Sequence, residues 1–403
     1  MTVRDREADE ARALARLAAD ELRTGVGGIE QVHAAIAGRV FGAVGPVARP
    51  VQRAHDTIAH GVYAAVGGGA ALAGLAGDRV LARRAGGDGR ALSVTPRGAQ
   101  VLAVLNGLIG DVLAADGSSL AEPMAVRVQG RPVAAETGAL AAAFPAASAH
   151  LVVLVPGLFE TEHAWRHGGA PTYGAQLARD LGATPVDVRY NTGRHVSENG
   201  RALAELLEAL TTAWPVPVAR LGLVGHSMGG LVIRSAAHHG DLAGHAWLRA
   251  LTATVSLGTP HAGAPLARGT HLAAHALQGL PETRAFARGL RRHSAGIRDL
   301  RDGSLVDEDW AGRDPHALRA AACREVPLAP GVRHAFVAAT LTRDARHPGG
   351  RLLGDGLVLA ASASGTGRAE RIAFSDGLNL AGAHHLALLN HPAVYARLRD
   401  WLA

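Results

Sequence analysis

The chain predicts an α/β protein with a mostly parallel sheet flanked by helices, and three observations carry that reading. Residues 151–155 (LVVLV) and 221–224 (LGLV) are apolar runs without polar alternation, as strands buried on both faces require. From about residue 150 onward such runs alternate with amphipathic segments of helical period, the rhythm of a sheet built from crossover units. One of the runs leads straight into Gly225-His226-Ser227-Met228-Gly229 and then into an apolar helical pattern. That order predicts a sharp strand-to-helix turn with a serine at its tip.

The first 120 residues read as a helical extension. Leu14, Leu17, Ala18 and Leu22 share one face over 5–24; Ile29, Val32, Ile36 and Val40 repeat the pattern over 29–44. Pro46 and Pro50 break the chain, and a further helix is expected over 51–66. The uncharged run 61–77 is too short and too glycine-rich for a membrane span, so an apolar helical hairpin is expected there. Peripheral contact with a membrane surface or an acyl chain is the alternative use of that run. Another helix is expected over 97–115, closed by Asp116-Gly117. Next come a strand over 124–128, a turn at Gln129-Gly130 and a short strand over 131–133. The boundary therefore falls near residue 120, with the α/β domain spanning 121–403.

Within that domain each element follows from its pattern. Helix 171–182 turns Tyr173, Leu177 and Leu181 inward and ends at Gly182. A strand is expected over 185–190, and Ser197 caps a helix carrying Leu203, Leu206, Leu207 and Leu210. After the serine-bearing turn come a strand over 251–257, strands over 332–341 and 371–375, and a closing helix over 391–402. Residues 264–330 lack strand pattern and carry helical, arginine-rich segments.

Composition narrows the function classes. Hydrophobic residues make up 48% and charged residues 19%, enough for a sizeable core and too apolar for wholesale disorder. The net charge is +6 without a single lysine. Its arginines are interleaved with acids and form no basic run with aromatics, so nucleic acid is not an expected partner. The lone Cys323 rules out an internal disulfide. The charged N-terminus lacks the apolar core of a secretory signal, which points to the cytoplasm. The histidines show no metal-ligand spacing with nearby acids, and no cofactor or metal is implied.

A serine hydroxyl needs a positioned base, itself oriented by a carboxylate. In strand–turn–helix nucleophile folds the partners follow in the order serine, acid, histidine. Downstream of Ser227, Asp355 lies between two glycines beyond the strand at 332–341, with Asp344 and Asp376 as rival acids. His384 and His385 lie just before the final helix. Two backbone N–H groups must hold the oxyanion. Met228, after the serine, supplies one. Leu158 in the loop after 151–155 supplies the other, with Phe159 in reserve, because Pro156 has no N–H. Asn191, Thr192, His195 and Asn199 line a rim loop where Asn191 and His195 could meet a substrate head group, as could Phe159; a loop that braces its neighbours is the alternative.

With these residues in hand, the chain from about 120 onward resembles the α/β-hydrolase superfamily in its esterase/lipase branch. The resemblance is to bacterial triacylglycerol-lipase-like and GPI inositol-deacylase-like proteins. It is carried by LVVLVPGLFETEHAW (151–165), VRYNTGRHVSENG (188–200), GHSMGGLV (225–232), SLGTPHAGAPLA (256–267), GDGLV (354–358) and HHLALLNHPAVY (384–395). It implies Asp355 as the acid and His385 as the base. It also implies a helical lid or cap over 264–330, with Leu272, Leu277, Leu280, Phe286 and Leu290 as its apolar positions. Pro156-Gly157 departs from the His-Gly usual in the family, although the oxyanion donor is backbone either way. The activity implied is cleavage of a carboxylic ester or lipid through an acyl-enzyme. Acyl transfer to another alcohol, or lipid and membrane binding by a protein with a vestigial hydrolase domain, are the alternatives.

Overall fold

The structure, a computed structural model, describes residues 91–169, 171–264, 294–314, 323–344, 348–367 and 371–403, together with a few isolated positions between 10 and 57. The helices expected over 5–24, 29–44 and 51–66 and the run 61–77 fall almost wholly outside the described residues, as do the five apolar lid positions.

Eight strands form one sheet in the order β2-β1-β4-β3-β5-β6-β7-β8. They are β1 (Ala125–Val128), β2 (Arg131–Val133), β3 (His150–Val155), β4 (Thr184–Arg189), β5 (Arg220–His226), β6 (Leu251–Leu257), β7 (Arg333–Thr340) and β8 (Asp376–Ala381). β1 is antiparallel to both of its neighbours, and β3 to β8 run parallel. The helices are α1 (Pro96–Ala115), α2 (Thr137–Ala143), α3 (Tyr173–Leu181), α4 (Val196–Ala213), α5 (Met228–Ala243), α6 (Ala295–Asp302), α7 (Pro348–Leu353), α8 (Ala360–Ala363) and α9 (Pro392–Leu402).

The apolar runs are buried on both faces because successive side chains alternate between two cores. Leu151, Val153 and Val155 of β3 pack with Leu203 and Leu207 of α4 and Leu231 of α5. Val152 and Leu154 pack on the other side with Tyr173 and Leu177 of α3 and Leu398 and Trp401 of α9. Local signals set the helix ends. Thr172 accepts the Ala175 N–H at 3.1 Å to start α3, and Gly182 ends it in the left-handed region at φ 61°.

Two expectations change. Residues 371–375 do not form the last strand; β8 is the next segment, Asp376–Ala381. Ser197 does not cap α4, whose cap position is His195, two residues earlier; Ser197 lies within its first turn. Its hydroxyl instead donates to Asp307 at 2.6 Å.

α1 packs closely on the sheet domain. A Cβ on Gly107 would meet the Phe159 ring at 2.1 Å, and one on Gly110 would meet Asn191 Oδ1 at 1.9 Å. By length and composition α1 could cross a membrane, yet half of that stretch is buried within the protein. A buried ion network ties the same region to the sheet. Arg189 on β4, 1% exposed, grips Glu162 through Nε at 2.8 Å, donates to Ser93 O at 2.6 Å and reaches Glu122 at 3.5 Å. Glu122 also pairs with Arg127, and Ser93 donates to Glu10 of the N-terminal region at 2.7 Å.

Removing Arg189 would strand the Glu162 carboxylate in the interior. Arg189→Met should therefore cost about 3–5 kcal/mol in urea unfolding, the range for breaking a buried pair from one side. A loss under about 1 kcal/mol would show that the network contributes little to stability.

Candidate active site

β5 ends on His226 and α5 begins on Met228, so Ser227 alone makes the turn. Its backbone lies at φ 51°, ψ −121°, a conformation that costs an L-residue about 1–3 kcal/mol. The turn is held because Ser227 N–H donates to Leu257 O at the end of β6, at 2.8 Å. The flanking glycines are steric necessities. A Cβ on Gly225 would lie 2.5 Å from the Gly229 carbonyl carbon, and one on Gly229 would lie 2.3 Å from Val155 O. Ser227 sits at the carboxyl end of the parallel strands, where such sheets place their sites, and is 8% exposed.

The loops carrying Asp355 and His385 converge at the same end of the sheet. Asp355 follows α7, is 2% exposed and fixes its own Oδ1 with two backbone donors, Leu357 N–H at 3.0 Å and Val358 N–H at 2.8 Å. Its Oδ2 lies 2.7 Å from His385 Nδ1, and its carbonyl accepts the His385 N–H at 3.0 Å. His385 is buried, whereas its neighbour His384 is exposed, accepts the Ala387 N–H and meets the His167 ring edge-on. The rival acid Asp376 lies at the opposite, amino end of β8, bound by Arg397 at 2.7 Å and by Trp401 Nε1 at 2.9 Å. Among the described residues no hydrogen bond joins Ser227 Oγ to His385, and His385 Nε2 bonds no described residue.

The electrostatics favour a charged imidazole. Burial alone would push His385 down, but Asp355 in direct contact and the negative charge of Glu160 hold it above the ordinary histidine value. Two backbone donors are open beside Ser227. Met228, as the first residue of α5, has no acceptor earlier in its helix, and Leu158 N–H likewise has no acceptor among the described residues. Gly157 N–H is occupied by Glu160 at 2.6 Å.

Glu160 escaped the sequence reading. It closes the loop after β3, and its carboxylate also pairs with Nδ1 of the fully buried His226, at 2.8 Å through Oε1. His226 Nε2 in turn lies 3.3 Å from His385 O. The available signal was a histidine inside the turn motif, which once buried must find a polar partner, together with an acid on the adjoining loop.

The residues expected to meet substrate are occupied by protein contacts. Phe159, at φ 64°, packs its ring on α1, and its carbonyl accepts from Gln100 at 2.9 Å. Asn191 donates to Gly110 O at 2.8 Å and accepts the Gly193 N–H at 3.0 Å. His195 lies 3.0 Å from Asp299 and stacks on Trp310 with ring centroids 3.7 Å apart. These contacts anchor α1 and α6 to the rim. A cavity of about 280 Å³ lies between α1, α4 and α6, but its charged lining is already paired, Arg194 with Glu198 and Arg298 with Asp111. Among the described residues no group of three His, Cys, Asp or Glu side chains could hold a metal ion.

Residues 187–280 match the family model described as a PGAP1-like alpha/beta domain. No curated protein is similar to the chain in sequence. Among solved structures, the chain is similar to Bacillus licheniformis lipase BlEst2 in mature form (TM-score 0.41, 18% identity, 63% of this chain and 92% of that one). It is also similar to Aspergillus fumigatus lipase B (TM-score 0.39, 12% identity, 63% and 52%) and to esterase RhEst1 from Rhodococcus sp. ECU1013 (TM-score 0.34, 17% identity, 64% and 92%). Likeness at these levels says nothing about activity. The mostly parallel eight-stranded sheet flanked by helices, with a strained serine at a strand-to-helix turn, is the architecture of an α/β-hydrolase fold.

Proposed function

We propose that the protein is a serine hydrolase of carboxylic esters. The observation that carries this reading is the buried Asp355–His385 pair at the end of the sheet that also presents the strained Ser227. In the proposed cycle His385 Nε2 takes the Ser227 hydroxyl proton as Oγ attacks the ester carbonyl carbon. The carbonyl π electrons move onto oxygen, which the Met228 and Leu158 N–H groups hold. Asp355 Oδ2 accepts the Nδ1–H of the imidazolium. Collapse of the tetrahedral species expels the alcohol, which leaves with the Nε2 proton. Water then repeats the sequence on the acyl-enzyme and returns Ser227. Proton transfer needs Ser227 Oγ and His385 Nε2 in hydrogen-bond contact, a contact that commonly tightens only once substrate is bound.

A chain-length series of p-nitrophenyl esters tests the activity and its acyl preference together. Ser227→Ala should abolish turnover; hydrolysis persisting at the wild-type rate would remove the serine from the mechanism. Asp355→Asn should lower kcat by orders of magnitude, about 10⁴-fold in the template triad, because the amide no longer holds the required tautomer. Asp376→Asn should leave kcat unchanged, and the reverse pattern would reassign the acid.

The pH dependence carries a definite sign. Only neutral His385 can accept the proton, and its pKa stands above the ordinary histidine value of about 6.5. The acid limb of kcat/KM should therefore have its midpoint above that value. A rate that stays flat down to pH 4 would rule out a histidine base.

A further inference from the structure

Resting on that reading, we infer that Glu160 is a second carboxylate of the active site, a positioning residue that locks the oxyanion loop to the turn bearing Ser227. Its carboxylate is 13% exposed and bonds in two directions at once. It accepts the Gly157 N–H at 2.6 Å, inside its own loop, and pairs with Nδ1 of His226 at 2.8 Å and 2.9 Å. His226 directly precedes the nucleophile, is fully buried, and presents its other ring nitrogen to His385 O at 3.3 Å. One side chain thus connects the loop of the second oxyanion donor, the turn of the nucleophile and the loop of the base.

The geometry also selects the donor. With Gly157 N–H taken by Glu160 and Pro156 lacking one, Leu158 N–H is the first open donor of the loop. The far side of the loop is fixed as well, since Tyr190 Oη donates to Pro156 O at 2.8 Å.

Glu160 has an electrostatic consequence that a mere brace would lack. The charged and titratable groups facing His385 are Asp355 from the loop after α7, Glu160 from the loop after β3, His226 from the end of β5 and the adjacent His384, with His167 beyond it. Asp355 and Glu160 are the two that favour the imidazolium. Burial would raise the Glu160 carboxyl, but His226, the Gly157 N–H and His385 together hold it below the ordinary value, so the group is negative at neutral pH. A negative charge near a buried histidine strengthens its proton affinity and supports the imidazolium that forms in the transition state.

The test uses the full chain with Glu160→Gln, which keeps shape and an acceptor but loses the charge, and Glu160→Ala, which loses both. Two readouts are needed: the pH profile of p-nitrophenyl acetate hydrolysis, and the His385 imidazole titration followed by NMR, which does not depend on turnover. In Glu160→Gln the acid limb and the His385 midpoint should both move to lower pH, the opposite of a general loss of activity. In Glu160→Ala kcat should fall roughly 10- to 100-fold with KM little changed, as expected for an interaction realised in the transition state. An unmoved His385 midpoint in folded Glu160→Gln overturns the inference, whatever its rate. A wild type that titrates as expected but cleaves no ester sinks the hydrolase reading instead, while the coupling of Glu160 to His385 stands.

Discussion

The site depends on a bend that one residue makes alone. Ser227 joins the central strand β5 to α5 in a backbone conformation that neither element would adopt. It persists because both sides are over-determined. β5 is paired along its length with β3 and β6, and the serine N–H is anchored to Leu257 O. The bend also leaves the first N–H groups of α5 without acceptors earlier in their helix, directly after Ser227. Any side chain at Gly225 or Gly229 would push the turn open, which is why the sequence around it is so restricted.

Around that bend the chain resolves a competition between burial and charge. Sealing His385 from water disfavours its cation, and a site built on burial alone would give a poor base. The Asp355 contact reverses this, and it can do so because its own orientation is not left to chance: Oδ1 is held by two backbone donors while Oδ2 faces the ring. The negative charge of Glu160, which also pairs with His226, acts in the same direction. Three loops from distant parts of the chain therefore meet in one polar cluster inside an otherwise apolar layer, and each polar atom there has something to gain from the others.

How much of this was legible follows from how local each signal is. The apolar runs and the glycine-flanked serine are local, and β3, β5, β6 and the turn appear where the sequence places them. The structure brings together Asp355 and His385, which their order along the chain had suggested as partners, although choosing His385 over His384 took a family resemblance and not the residues themselves. β8 was missed because Asp376-Gly377 reads as a turn. In the sheet Gly377 is instead where the Phe336 ring of β7 lies, so close that a Cβ would sit 2.2 Å from it. This strand is made by a cross-strand contact that no local pattern records. For Asn191 and His195 the sequence left substrate contact and loop bracing both open, because polar residues on a rim loop are ambiguous until their partners, here Asp299, Trp310 and Gly110, are known. Glu160 was invisible for the same reason.

The last of these non-local dependences concerns α1. Its composition would suit a membrane, but Asn106 sits buried in it, donating to Leu102 O and Leu120 O and accepting the Glu122 N–H. Three residues on, the helix breaks at Ile109, which has φ −139°. Sharp kinks arise where side chains intrude on the backbone ladder, and two do so here: Ser294 donates to Gly107 O at 2.6 Å and Asn191 donates to Gly110 O at 2.8 Å. Ser294 opens α6, Asn191 belongs to the rim loop, and the Phe159 ring of the loop after β3 nests against Gly107. The break in α1 is thus a socket for three loops that frame the site. A helix placed by sequence before the sheet domain holds the loop after β3 through the Phe159 ring and the Gln100 hydrogen bond to Phe159 O.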